Sequence, residues 1–154
     1  MALYQSKQIA SRQPIPNQSG FDDLMPIQAE YVVKAGGVAI NDVIEMGGIL
    51  PNMRVVDAII HNTACGAGAT ADFGYLSGSY GVTTGAARTC GNEFGAALDM
   101  NSTAPKRLAK SVTTDPAAAA GNLTDESVGW GLKVTGAGWP AGAIIRATLL
   151  VGAL

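Results

Sequence analysis

The chain has 154 residues, 47% of them hydrophobic and only 14% charged, with a formal net charge of -2. That length suits one domain with a single core. The charge balance offers no basic footprint for nucleic acid, and no apolar run approaches the ~18 residues that span a bilayer. A charged share well under the usual ~25% points instead to a surface partly covered by other protein.

Residues 1–28 read as an extended N-terminal arm rich in Gln, Ser and Pro, in which Pro14 and Pro16 disfavour helix. Its scattered anchors, Tyr4, Ile15 and Phe21, leave two readings open: a loose terminus, or a strap that orders on a neighbouring subunit. Residues 29–154 form the second unit, predicted to be all-β. Tyr31 and Val33 share one strand face, Gly36-Gly37 turns the chain, and Val38 to Met46 runs extended with Ile40, Ile44 and Met46 on one side and Glu45 on the other. Asp42 falls on that apolar side, which predicts a bulge or an edge position. Two neighbouring strands, joined by the loop Gly66-Ala67-Gly68, are then expected. Val56, Ala58 and Ile60 share a face of the first, and Ala71, Phe73 and Tyr75 a face of the second.

Ser77 to Gly91 is a long Gly- and Thr-rich connection carrying Tyr80 and Arg88, of the kind that is usually functional or mobile. Glu93 to Met100 reads as a short strand with Phe94, Ala96 and Leu98 together, and Arg107 to Val112 as another. The stretch from Thr113 to Gly121 fits one helical turn after Asp115-Pro116 or a plain loop. Val128, Trp130, Leu132 and Val134 form the apolar side of a C-terminal hairpin whose turn holds Trp139. Its return strand, Ala143 to Val151, is apolar on both faces and belongs in a sheet interior or at a subunit contact. About eight strands with turn residues between them predict a two-sheet antiparallel β-sandwich or jelly roll.

Reaction chemistry finds little support. Gly66-Ala67-Gly68-Ala69-Thr70-Ala71 spells a nucleotide-type glycine pattern, but a strand follows where a pyrophosphate site needs a helix. His61 is the only histidine, too few for a metal-dependent jelly roll, and reads as a strand residue beside Asp57. No paired acid and base stand out, so no catalytic residue, metal site or cofactor is expected. Cys65 and Cys90 are the only cysteines, and the lack of a secretory signal favours buried free thiols over a disulfide. Trp130 is in phase with the core, whereas Trp139, between Gly138 and Pro140, is expected at the surface. Lys106, Arg107 and Lys110 make a small basic cluster that reads as solvated, or as meeting an acidic neighbour.

One resemblance gathers these features. It runs through Asp42-Val43-Ile44-Glu45-Met46, then Leu50-Pro51-Asn52-Met53-Arg54-Val55, then Gly68 to Leu76 (GATADFGYL), and ends on Ile144 to Leu150 (IIRATLL). From Ala29 onward the chain resembles the jelly-roll head decoration, or cement, proteins of tailed bacteriophages. The resemblance implies a structural virion protein on the outer surface of the capsid. Such a protein bridges neighbouring major capsid proteins, stabilises the shell, and works as a homodimer or homotrimer. Contacts are expected at the arm (Tyr4, Ile15, Phe21), the connection with Tyr80 and Arg88, and the Trp139 turn. The alternative is a carbohydrate-binding jelly roll, lectin-like or attaching to host glycans, which an exposed Trp139 would favour. An enzyme ranks last.

Overall fold

A computed structural model describes residues 2–6, 24–51, 53–81, 88–108 and 127–153. The regular elements among them are all strands: β1 (Leu3–Gln5), β2 (Met25–Val32), β3 (Val43–Ile49), β4 (Met53–Asn62), β5 (Thr70–Ser79), β6 (Gly95–Asp99), β7 (Lys106–Leu108), β8 (Val128–Val134) and β9 (Ile144–Ala153). They build a five-stranded sheet, β1-β3-β8-β5-β6, facing a four-stranded sheet, β2-β9-β4-β7. From β2 onward successive strands alternate between the sheets, except that β5 and β6 lie side by side. That is the jelly-roll order. Pairing is antiparallel throughout, apart from β1, which runs parallel to β3 at the sheet edge.

Period-two alternation delivers the core. Ile27, Ala29 and Tyr31 enter it from β2, Phe73 and Tyr75 from β5, Trp130 and Leu132 from β8, and Ile145, Ala147, Leu149 and Val151 from β9, all buried. The rings meet edge to face: Phe73 and Phe94 have centroids 5.1 Å apart, Phe73 and Trp130 5.9 Å, and Tyr75 and Phe94 4.8 Å. Each such contact contributes ~0.5–1.5 kcal/mol beyond burial alone.

Several expectations change. The two strands flanking Gly66-Ala67-Gly68 are not neighbours, because β4 and β5 lie in opposite sheets, and the same holds for β8 and β9. Each pair is an arch across the core and not a hairpin. Local alternation looks the same in both cases, since both arms turn an apolar face to one core. In β4 a bulge between Val55 and Asp57 resets the phase, so Val55 replaces Val56 beside Ala58 and Ile60 in the core. Asp42 does not interrupt a strand. It precedes β3, and its carboxylate accepts the amides of Ala39 at 3.1 Å and Ala2 at 2.6 Å. Asn41 there adopts φ +68°, and Ile40 is left 53% exposed. In β6 the phase breaks at Ala97 (φ +47°), leaving Phe94 buried and Ala96 exposed. Within residues 1–28, β2 begins at Met25 and β1 joins the five-stranded sheet. Ile15, Phe21, Lys110 and the Thr113–Gly121 stretch lie outside the described residues.

The interior holds groups that must stay protonated. Burial pushes Tyr31 up from 10.0 to about 12, with Tyr4 and Asp42 adding to it, and pushes Cys65 up from 9.0 to about 11. Cys90, whose thiol donates to the Gly91 and Gly131 carbonyls at 3.3 Å, rises from 9.0 to about 12, chiefly by burial. In the unfolded chain these groups lose protons near 9 and 10, so above that range the unfolded state binds fewer protons than the folded one. The stability these three groups contribute is therefore constant below about pH 9 and is lost from there to about pH 12. Urea midpoints measured across this range should drop, with a shallower slope for Cys65→Ala; a constant midpoint would contradict the burial of these groups.

Candidate functional site

On the outer face of the five-stranded sheet, Tyr80, Gly81 and Arg88 from the β5–β6 connection lie over β3 and β8. Glu45 points out from β3 onto that face, yet its side chain is 0% exposed. Arg88 covers it, itself 7% exposed, with Nη1 paired to Glu45 Oε1. Two further donors of Arg88 reach β5: Nε donates to the Ser77 carbonyl at 2.6 Å and Nη2 to the Gly78 carbonyl at 3.1 Å. Glu45 also accepts the amide of Gly81 at 3.2 Å and the Nε2 amide of Gln5 at 3.3 Å. Two segments distant in sequence, β1 and the β5–β6 connection, thus converge on one carboxylate.

Glycine makes room for this closure. A Cβ on Gly129 of β8 would stand 2.5 Å from Glu45 Oε1 and 2.7 Å from Arg88 Nη2. A Cβ on Gly48 would stand 2.7 Å from the Tyr80 ring, which lies flat on that backbone. Tyr80 is half-buried, and its phenol is raised by burial and then by the Glu45 charge. Farther along, Glu93 Oε2 accepts the Tyr75 amide at 3.0 Å and the Phe94 amide donates to the Phe73 carbonyl at 3.0 Å, so the connection is seated at both ends.

The structure brings Tyr80 and Arg88 together, as neighbours of Glu45. Tyr4 sits apart, half-buried, with its ring 6.1 Å from that of Tyr31. Trp139 overturns the expectation of exposure: it is 2% exposed and packs into the core. The reason is a backbone bridge, Trp139 N to Val38 O at 2.8 Å and Val38 N to Trp139 O at 3.0 Å, which folds its turn back under the Gly36-Gly37 turn. The exposed apolar residue at that end is Ile40. Glu45 is the residue that sequence reasoning passed over. The available signal was one acid in an apolar strand with an arginine in the long loop.

The face of β2-β9-β4 turned away from the core carries an open depression of about 360 Å³ between Gln28 and Glu30, Ile59 and His61, and Arg146 and Thr148. Arg146 Nε donates to Glu30 Oε2 at 2.8 Å across it. Asp57 and His61 share this outer side, but Asp57 pairs with Arg107 Nε at 2.7 Å. Lys106 turns inward to Asn62 Oδ1 and the Ser102 carbonyl, and burial lowers its pKa. Among the described residues no three His, Cys, Asp or Glu side chains converge as metal ligands, and no helix is long and apolar enough to cross a membrane.

No family model matches the chain, and no curated protein matches it. Among solved structures, it is similar to a chain in the capsid of Ralstonia phage GP4, with 26% identity, a TM-score of 0.81 and 99% of each chain covered. Its fold is that of a phage capsid chain. The resemblance read from β3, β4 and β5 pointed to the same kind of particle.

The buried pair makes a sharp prediction about stability. Removing one partner strands the other charge, at a cost of ~3–5 kcal/mol, whereas replacing both with apolar groups of similar size is near neutral. Arg88→Met alone should be strongly destabilised in urea, and Arg88→Met with Glu45→Met should recover most of the loss. Equal destabilisation of single and double variants would contradict a closed, satisfied pair.

Proposed function

We propose that this chain is a structural protein of a phage virion, a cement protein on the outer surface of the head that bridges neighbouring major capsid proteins and acts as a homo-oligomer. The observation that carries this reading is the end-to-end likeness to a chain in a phage capsid at 26% identity. The low charge of the chain supports it. So does an architecture in which a buried ion pair, Glu45–Arg88, anchors the described parts of the β5–β6 connection to β3.

The work of such a protein is mechanical. A standard interface buries ~800 Å² per partner, and an oligomer that holds several at once gains affinity through effective concentration without new contacts. Capsomers then separate only when these contacts break together. The proposed contacts are the arm with Ile15 and Phe21, the half-buried Tyr80, and the turn end marked by Ile40. Arg88 and Trp139 are buried and serve by holding the Tyr80 and Ile40 segments in shape. The glycan-binding reading loses its motivating feature with the burial of Trp139.

Purified protein added to phage shells that lack it should co-sediment with them and raise their melting temperature. Ile15→Ser with Phe21→Ser should weaken that binding ~10-fold or more, about 1.4 kcal/mol, while leaving the melting temperature of the free protein unchanged. A protein that ignores shells would overturn the proposal.

A further inference from the structure

The attachment of β1 has features of a plug in a socket. Its specific bonds run between residues 2–6 and 42–46. The Val43 amide donates to the Ala2 carbonyl at 2.9 Å, the Ala2 amide to Asp42 Oδ1 at 2.6 Å, the Ser6 amide to the Glu45 carbonyl at 2.8 Å, and Ser6 Oγ to the Met46 carbonyl at 2.5 Å. Ser6 is 0% exposed, and Gln5 Nε2 reaches Glu45 Oε2. The register is parallel, Leu3 opposite Val43, Tyr4 opposite Ile44 and Gln5 opposite Glu45. Edge position means that β1 can leave without unthreading any other strand. It cannot leave the site empty cheaply, because Asp42 Oδ1, the Met46 carbonyl and Glu45 Oε2 would lose the bonds they make to β1 and its flanks.

Every group the socket recognises is present in any copy of residues 2–6, and nothing in it depends on those residues belonging to the same chain. Residues 7–24 join Ser6 to β2 on the opposite sheet, and a segment of that length spans up to ~60 Å when extended. Loop-closure entropy rises only as ~(3/2)RT ln n. A long connector therefore gives same-chain docking little advantage once a second socket is held nearby. Exchange of an identical element between protomers is a low-cost route to oligomers.

We propose that β1 is a donor strand exchanged between copies of this chain, each copy filling the β3 edge of its neighbour with residues 2–6. The inference rests on the self-association in the function proposed above and names the segment and the site that carry it. Capsid contact is not needed for it to hold.

Two variants, Leu3→Cys and Val43→Cys, are made in a Cys65→Ala, Cys90→Ala background, given different tags, co-expressed, and oxidised mildly so that directly opposed thiols close to a disulfide. Exchange predicts a disulfide-linked heterodimer on a non-reducing denaturing gel, at several times the yield given by a control pair in which Val43→Cys is replaced by Arg54→Cys, exposed on the opposite sheet. A variant carrying both Leu3→Cys and Val43→Cys should form linked chains in addition to self-closed ones. Absence of the heterodimer, or closure of the double variant only on itself, would overturn the exchange. Shell binding measured on the same samples separates the two ideas: shells bound without any heterodimer sink the exchange and leave the cement reading standing.

Discussion

The Glu45–Arg88 pair is the contact on which the rest of the surface depends. It lies on the outside of one sheet, where charge would ordinarily stay in water, and both side chains are buried there, with Arg88 also bonded to β5. Burying two charges costs several kcal/mol per ion before any attraction is counted. The cost is offset here by satisfaction of both partners: Arg88 binds two carbonyls of its own approach, and Glu45 binds Gly81 and Gln5. Such a pair adds little net stability over an apolar packing, but it is selective about geometry. Only one placement of the connection, and one of β1, satisfies it.

That selectivity sorts the faces of the sandwich. The five-stranded sheet is roofed and has lost its open face around β3 and β8. The face of β2-β9-β4 away from the core stays open and polar, with Arg146 and Glu30 paired across it. One end presents Ile40 beyond a turn whose tryptophan is drawn inside. A particle with fixed rims and few charges is suited to being covered by neighbours, which is how a structural virion component would use it.

The face alternation of single strands was legible in the sequence, and their pairing was not. Phe73 and Tyr75, or Trp130 and Leu132, declare an inward side because period two is a local property. Whether β8 and β9 make a hairpin or an arch is decided by the partner strands β5, β3, β2 and β4, all distant in sequence. The Val55–Asp57 bulge inserts one residue that no hydropathy pattern marks. Trp139 shows the same limit: Gly and Pro around it signalled a turn correctly, but its bridge to Val38 depends on a second turn a hundred residues away. Tyr80 and Arg88 could be picked from the long loop as residues with work to do. That the work is inward, on Glu45, required knowing where β3 lay.

Amide hydrogen exchange in the native protein tests the roofing of the sheet most directly. The Gly81 amide donates to Glu45 and the Gly91 amide to the Tyr75 carbonyl, whereas core strand amides such as that of Trp130 report global opening. If the ion pair pins the connection, Gly81 and Gly91 exchange at rates close to that of Trp130 in the intact protein, and much faster in Arg88→Met while Trp130 stays the slower. If Gly81 and Gly91 exchange orders of magnitude faster than Trp130 in the unaltered chain, the connection opens on its own and the account fails.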